Sequence, residues 1–152
     1  MRLHLVRHGD AAPGHDDSSR RLTERGRADV ARLAERAAEA GIVVDEIRHS
    51  GLVRARETAE ILAARLRPVH GVHEMAGLTP DADEVPVAIE FSVADAPVLV
   101  VSHMPFVACL AGRLVSGSRS AVAAAFSTAE LRGFERGDDG RWKPVVVLRG
   151  SE

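Results

Sequence analysis

Two apolar runs in this chain end on histidine. Leu3-His4-Leu5-Val6 leads into Arg7, His8 and Gly9, and Val98-Leu99-Val100-Val101 leads into Ser102 and His103. A neutral imidazole has a lone pair near pH 7, so a histidine delivered to the mouth of a site by a strand can be a nucleophile. One ring nitrogen must then hold the proton, against a backbone carbonyl for example, while the other faces the electrophile. Arg7 beside it points to an electrophile with anionic oxygens, because a guanidinium presents several donors in a fixed plane. Gly9 has no Cβ, which lets the backbone turn sharply and approach a ligand. Arg54, within Ser50-Gly51-Leu52-Val53-Arg54-Ala55-Arg56-Glu57-Thr58, falls in the first turn of an expected helix, whose N-terminal amides also favour an anion. His103, after Ser102, would donate to an oxygen of that anion or carry a proton there. These residues describe a phosphate pocket, since phosphoryl transfer relies on positioning and on stabilising charge spread over the equatorial oxygens.

Each residue also has a plainer role. Arg-His-Gly arises by chance in roughly one chain in a hundred of this length. A lone helix arginine is usually solvated, and a histidine at a strand end is usually structural. His4 reads as a hydrogen-bonded core residue. His70 and His73 form an H-x-x-H, and His15 adjoins Asp16 and Asp17, but spacing places no third ligand and no metal is expected. The acidic run from Asp81 to Glu84 reads as a solvated helix start. Cys109 reads as a small core residue in an apolar helix. A face around Arg113, Arg119 and Arg132 could guide a partner.

The elements that must position these side chains follow from pattern and punctuation. Strands are expected over 3–8, 42–48 and, shorter, 69–75. A continuous buried strand is expected over 98–101. Helices are expected from an N-cap at Thr23 to Gly41, from Leu52 to a stop at Pro68, over 86–93 and over 104–115. Residues 11–21 read as a loop, as do Gly117, Ser118 and Ser120. Strands over 125–135 and 142–148 would form a hairpin about Gly137-Asp138-Asp139-Gly140. Strands alternating with helices imply an α/β class: one domain over 1–152, a three-layer sandwich with a mostly parallel central sheet, helices on both faces and a C-terminal β-hairpin. Ligands of such sheets bind at the carboxyl ends of the strands, where Arg7-His8, Ser50 and Ser102-His103 fall.

Composition narrows the function classes. The 152 residues are 45% hydrophobic and 28% charged, as in an ordinary folded domain. The formal net charge is −2, which gives no electrostatic reason to expect nucleic acid. With four Phe, one Trp and no Tyr, base-stacking platforms are scarce. No apolar run approaches a membrane span and no signal peptide is evident, so no membrane partner is expected. A single cysteine rules out an internal disulfide framework and fits a reducing, cytoplasmic compartment.

Taken together, the motifs resemble the histidine phosphatase superfamily, with its phosphoglycerate mutase-like fold. The resemblance rests on Arg7-His8-Gly9 after the first strand, Arg54 in S-x-x-x-R-A-x-x-T, and Ser102-His103 after a later strand. The spellings R-H-G-D-A at 7–11, R-x-L-T-x-x-G at 20–26, L-T-P at 78–80 and S-H-x-P at 102–105 look like its small branch, the SixA-type phosphohistidine phosphatases. That resemblance implies a phosphatase in which His8 is phosphorylated and then hydrolysed, with Arg7, Arg54 and His103 around the phosphate, Arg20 added to them, and no metal or cofactor. The implied substrate is phosphohistidine on a protein. A small phosphomonoester is the alternative, and a catalytically silent phosphate-binding module is the alternative of another class. In one respect the chain departs from the family: Gly77 stands before L-T-P, where small members often carry a glutamate as general acid. Glu74, Asp81, Asp83 and Asp10 are the nearby candidates. A weak acid would hurt alkoxide leaving groups most, and a protonated imidazole least.

Overall fold

The computed structural model describes residues 1–118 and 123–152. Arg119 and Ser120 lie outside the described residues. At the centre, β1 (Arg2–Arg7) pairs in parallel with β4 (Val98–Ser102), whose five residues are all buried. Beyond β4 come β2 (Glu46–His49) and β3 (Val72–Glu74), both parallel to it. On the other side of β1 the sheet turns antiparallel with β5 (Glu130–Arg136) and β6 (Trp142–Arg149), giving the order β3-β2-β4-β1-β5-β6.

Side chains alternate across the sheet, so each strand feeds two cores. Leu3, Leu5, Val98 and Val100 pack with Phe91 of α3 (Val85–Val93) and Phe106 and Leu110 of α4 (Phe106–Ser116). Val6, Leu99 and Val101 face Val30 and Leu33 of α1 (Glu24–Glu39) and Ala55, Ala59 and Leu62 of α2 (Val53–Leu66). This is the expected three-layer α/β arrangement. Thr23 caps α1, its side chain accepting from the Gly26 amide at 2.9 Å.

Four local expectations need correction. Residues 42–45 and 69–71 are not strand; β2 begins at Glu46 and β3 at Val72. Residues 125–129 are not strand either: β5 begins at Glu130, and Arg132 reaches back to the carbonyls of Ala124 and Ala125 at 2.8 and 2.9 Å. Arg113 and Arg132 do not form an open basic face. Arg113 pairs with buried Glu84 at 3.0 Å, and Arg132 pairs with buried Glu130 at 2.5 Å while lying over the Phe126 ring. An ion pair with a buried carboxylate holds each guanidinium against the fold.

His4 is the fourth. It is buried as expected, but neither ring nitrogen has a hydrogen-bond partner among the described residues. The ring packs on β5, where a Cβ at Gly133 would lie 3.0 Å from its Cδ2. Burial, helped by the charge of Arg2, pushes its pKa from 6.5 down to about 4. Below pH 6.5 the unfolded chain therefore takes up a proton that the folded chain refuses until about pH 4. Stability is lost across that window as pH falls, by about 3 kcal/mol from this ring. Denaturant unfolding of the wild type and His4→Leu at pH 7 and 4.5 reads this out. The variant is expected to lose about 2–3 kcal/mol less on acidification; an equal loss in both proteins contradicts a buried neutral His4.

Candidate active site

Parallel pairing sets Arg7 of β1 opposite Ser102 of β4. The His8 amide continues the ladder by donating to the Ser102 carbonyl at 3.1 Å. The residue after each strand is a histidine, and the two buried rings meet with centroids 5.0 Å apart, inclined at 53°. His8 Nδ1 lies 2.7 Å from the Gly9 carbonyl. A carbonyl only accepts, so Nδ1 holds the proton and Nε2 the lone pair. Arg54 Nε–H donates to that Nε2 at 3.3 Å.

Burial pushes the His8 pKa down to about 4; the bond to Gly9 opposes this, and the charges of Arg54, Arg7 and Arg20 add to it. His103 is pushed down to about 3, by burial first and then by His8 and Arg54. Both rings are neutral at pH 7. His103 Nε2 lies 2.6 Å from the Ser50 hydroxyl, which follows β2 and accepts from the Leu52 amide at 3.3 Å. His103 Nδ1 and Arg7 Nε are buried without a hydrogen-bond partner among the described residues. Arg7 Nη1 donates to the Phe126 carbonyl at 2.8 Å, which aims the guanidinium along the sheet edge.

Helix α2 starts beneath these rings, with no side-chain cap at Leu52. Arg54 lies in its first turn, and one turn later the Thr58 hydroxyl donates to the Arg54 carbonyl at 2.8 Å and accepts from the Gly9 amide at 3.1 Å. Thr58 thus ties the turn after His8 to the helix that carries Arg54. The loop after β1 folds over the mouth through a 3-10 turn, Asp17–Ser19. Arg54 Nη1 donates to the Asp17 carbonyl at 2.7 Å and Nη2 to its carboxylate at 3.3 Å. Arg20 Nη1 reaches the other carboxylate oxygen at 3.5 Å, while its Nε and Nη2 donate to the carbonyls of Ala12 and Ala11.

The fold therefore gathers His8, Arg7, Arg54, His103 and Arg20 at one edge. Gly9 and Ser102 are committed elsewhere. A Cβ at Gly9 would lie 2.8 Å from Val30 Cγ2 and 3.0 Å from the Gly26 carbonyl oxygen, so glycine there admits α1, and its amide belongs to Thr58. The Ser102 hydroxyl donates to the Leu78 carbonyl at 2.6 Å and tethers the Leu78-Thr79-Pro80 loop. Among the acids, Asp10 accepts from the Thr23 hydroxyl at 2.8 Å and Asp83 from the Val85 amide at 3.0 Å. Asp81 is exposed in the turn before α3. Glu74 lies against Gly51, where a Cβ would come within 2.5 Å of its Oε1, next to Ser50. His73 Nε2 meets the His70 carbonyl at 2.5 Å.

Sequence reasoning missed Asp17 as a member of this cluster, and it missed the pairing of Ser50 with His103. The signal for Asp17 was the i,i+3 spacing to Arg20; Ser50 was legible as a strand-end residue but not as the partner of His103.

Residues 3–79 match the family model of the histidine phosphatase superfamily, branch 1. The chain belongs to that superfamily. Among solved structures, this superfamily member is similar to the protein histidine phosphatase SixA complexed with tungstate, with a TM-score of 0.89 and 25% identity over 99% of this chain and 97% of that one. A mycobacterial glucosyl-3-phosphoglycerate phosphatase complexed with VO3 shares the fold, with a TM-score of 0.72 and 21% identity over 95% and 97% of the two chains. In sequence, the mitochondrial serine/threonine-protein phosphatase Pgam5 of Drosophila ananassae is 41% identical over 64 residues, 41% of this chain and 22% of that protein. The match thus spans about a fifth of the length of these Pgam5 relatives. No helix among the described residues is long and apolar enough to cross a membrane.

Proposed function

We propose that this histidine phosphatase superfamily member is a metal-independent phosphatase that takes a phosphoryl group onto His8 Nε2 and passes it to water, acting on phosphohistidine in a protein. The observation that carries this reading is the state of His8: neutral, its Nδ1 proton held by Gly9, its Nε2 lone pair facing Arg54. In the first step the Nε2 pair forms a bond to phosphorus. The bond from phosphorus to the leaving nitrogen breaks, and that nitrogen keeps the pair, leaving as a neutral imidazole whose other ring nitrogen holds the proton. In the second step water attacks phosphorus, inorganic phosphate leaves, and the pair returns to Nε2. Arg7, Arg54 and Arg20 stabilise charge on the equatorial oxygens. With Ser50 donating to His103 Nε2, the proton of His103 sits on its buried Nδ1 and is the donor for one of those oxygens. At a pKa of about 3 this ring acts as a neutral hydrogen-bond donor and not as an acid.

Support for the substrate comes from SixA, a protein histidine phosphatase whose structure holds a tetrahedral oxyanion, and from the poor supply of acids. Asp10 and Asp83 are tied into helix starts, which leaves Glu74 and Asp81 to assist a poor leaving group. A small phosphomonoester is the second reading, favoured by Glu74 beside Gly51 at the same sheet edge. A cytoplasmic setting belongs to this proposal, since the only cysteine, Cys109, is free.

Phosphate release is to be measured on a phosphohistidine peptide, an aryl phosphate and an alkyl phosphate, with and without chelator. The expected result is release from the peptide, weaker release from the aryl ester, least from the alkyl ester, and no effect of chelator. Equal rates on the alkyl ester would move the function to small phosphomonoesters. Loss of activity with chelator would overturn the metal-independent mechanism. Tight phosphate binding with no release from any substrate would favour a silent binding module.

A further inference from the structure

In the 3-10 turn over the mouth, the backbone and the side chain of Asp17 are held very differently. The turn is closed by Asp16: its carboxylate accepts from the Ser19 amide at 3.0 Å and the Ser18 hydroxyl at 2.6 Å, and its amide donates to the Ser19 hydroxyl at 3.3 Å. That local capping box fixes the Asp17 carbonyl, which accepts from Arg54 Nη1 at 2.7 Å. Among the described residues the Asp17 carboxylate has only its two arginine contacts, at 3.3 and 3.5 Å, and its side chain is 65% exposed, against 4% for Arg54. It can rotate into water at little cost, whereas Arg54 cannot leave. Each nitrogen of Arg54 already has a partner: Nε has His8, Nη1 the carbonyl and Nη2 the carboxylate, so an arriving anion meets the Asp17 carboxylate on the same guanidinium.

We infer that the Asp17 carboxylate is the resident counter-ion of Arg54 and Arg20, which a phosphoryl group displaces on binding and which returns as phosphate leaves. The inference rests on the phosphate-pocket reading above and adds a residue to it. Partial burial raises the carboxyl pKa, but Arg54 and then Arg20 outweigh it and hold it below the usual carboxylate range, so the group is charged at pH 7 and competes with anions. The Asp17 carbonyl stays in place during the exchange, so Arg54 keeps its orientation while its Nη2 changes partner. Asp17 is then a positioning residue that weakens product binding. Its loss lowers KM and the inhibition constant of phosphate together without raising kcat, because phosphate then leaves more slowly.

Calorimetric titration of inorganic phosphate into the full chain tests this, with wild type, Asp17→Asn and Asp17→Glu compared. Asp17→Asn keeps the backbone and the size of the side chain but removes the charge. It is expected to bind phosphate roughly threefold to fivefold more tightly, the worth of one partly exposed ion pair. Asp17→Glu restores the charge and is expected to lie closer to wild type. A side chain that merely props up the site would give the opposite sign, so weaker or unchanged binding by Asp17→Asn overturns the counter-ion role. Phosphate binding by none of the three proteins overturns the phosphate-pocket reading itself, and the counter-ion role with it.

Discussion

Replacing His8 by alanine is expected to remove phosphate release from a phosphohistidine peptide by roughly four orders of magnitude or more, the usual cost of deleting a covalent nucleophile. Nothing else in the cluster can substitute for it. Among the described residues His103 is the only other imidazole at the site, and its Nε2 is engaged by Ser50 at 2.6 Å. The variant keeps Arg7, Arg54, Arg20 and His103, so it should still bind inorganic phosphate. That separates loss of chemistry from loss of the site. Wild-type protein mixed with labelled substrate and quenched in base should carry a base-stable, acid-labile phosphoryl group that His8→Ala lacks. Turnover by His8→Ala at a rate near that of wild type would end the covalent mechanism. Circular dichroism and a thermal melt check the fold, which should survive because His8 lies at the strand end, outside the two hydrophobic cores.

The second large effect is expected from Arg54→Lys, which keeps the charge and discards the fork. Three nitrogens of the guanidinium face three directions: Nε to His8, Nη1 to the Asp17 carbonyl and Nη2 to its carboxylate. An ammonium has three donors on a single nitrogen, which cannot reach three partners set around a planar fork. Losing one preorganised donor from a site of developing charge costs about 10²–10³ in rate. The loss should fall mainly on kcat, because the charge on the equatorial oxygens is stabilised most in the transition state. Steady-state kinetics of Arg54→Lys on the peptide gives the answer directly. A kcat within threefold of wild type would mean that Arg54 supplies charge alone and that its three-way geometry is incidental.

Both effects depend on the same arrangement: neighbouring strands that end in histidine, and a helix that starts below them. Thr58 couples the two, since its single hydroxyl takes the Gly9 amide and gives to the Arg54 carbonyl. On the far side of the turn, the absence of a side chain at Gly9 lets Val30 and the Gly26 carbonyl approach it. Packing against α1 is thus a reason for glycine at position 9 that stands beside the turn and ligand approach given by sequence reasoning.

By itself the sequence determined what local rules control. The runs ending at Arg7 and Ser102 were legible as buried strands because apolar residues without polar alternation suit a strand covered on both faces. Thr23 as the cap of α1 and the hairpin at residues 137–140 were legible because capping and turn chemistry act within a few residues. The superfamily was legible for the same reason, since its motifs are short. Only the tertiary structure decided which of these residues meet. The register of β1 on β4 brings His8 and His103 to 5.0 Å across 95 positions of chain, and the turn at Asp17–Ser19 closes on Arg54 across 37. Whether an arginine is free or paired was decided there too, as Arg113 and Arg132 show with Glu84 and Glu130. The physical reason is that a strand's pattern specifies which faces it buries but not its neighbour, and a charge's environment is set by chain brought near it from far along the sequence.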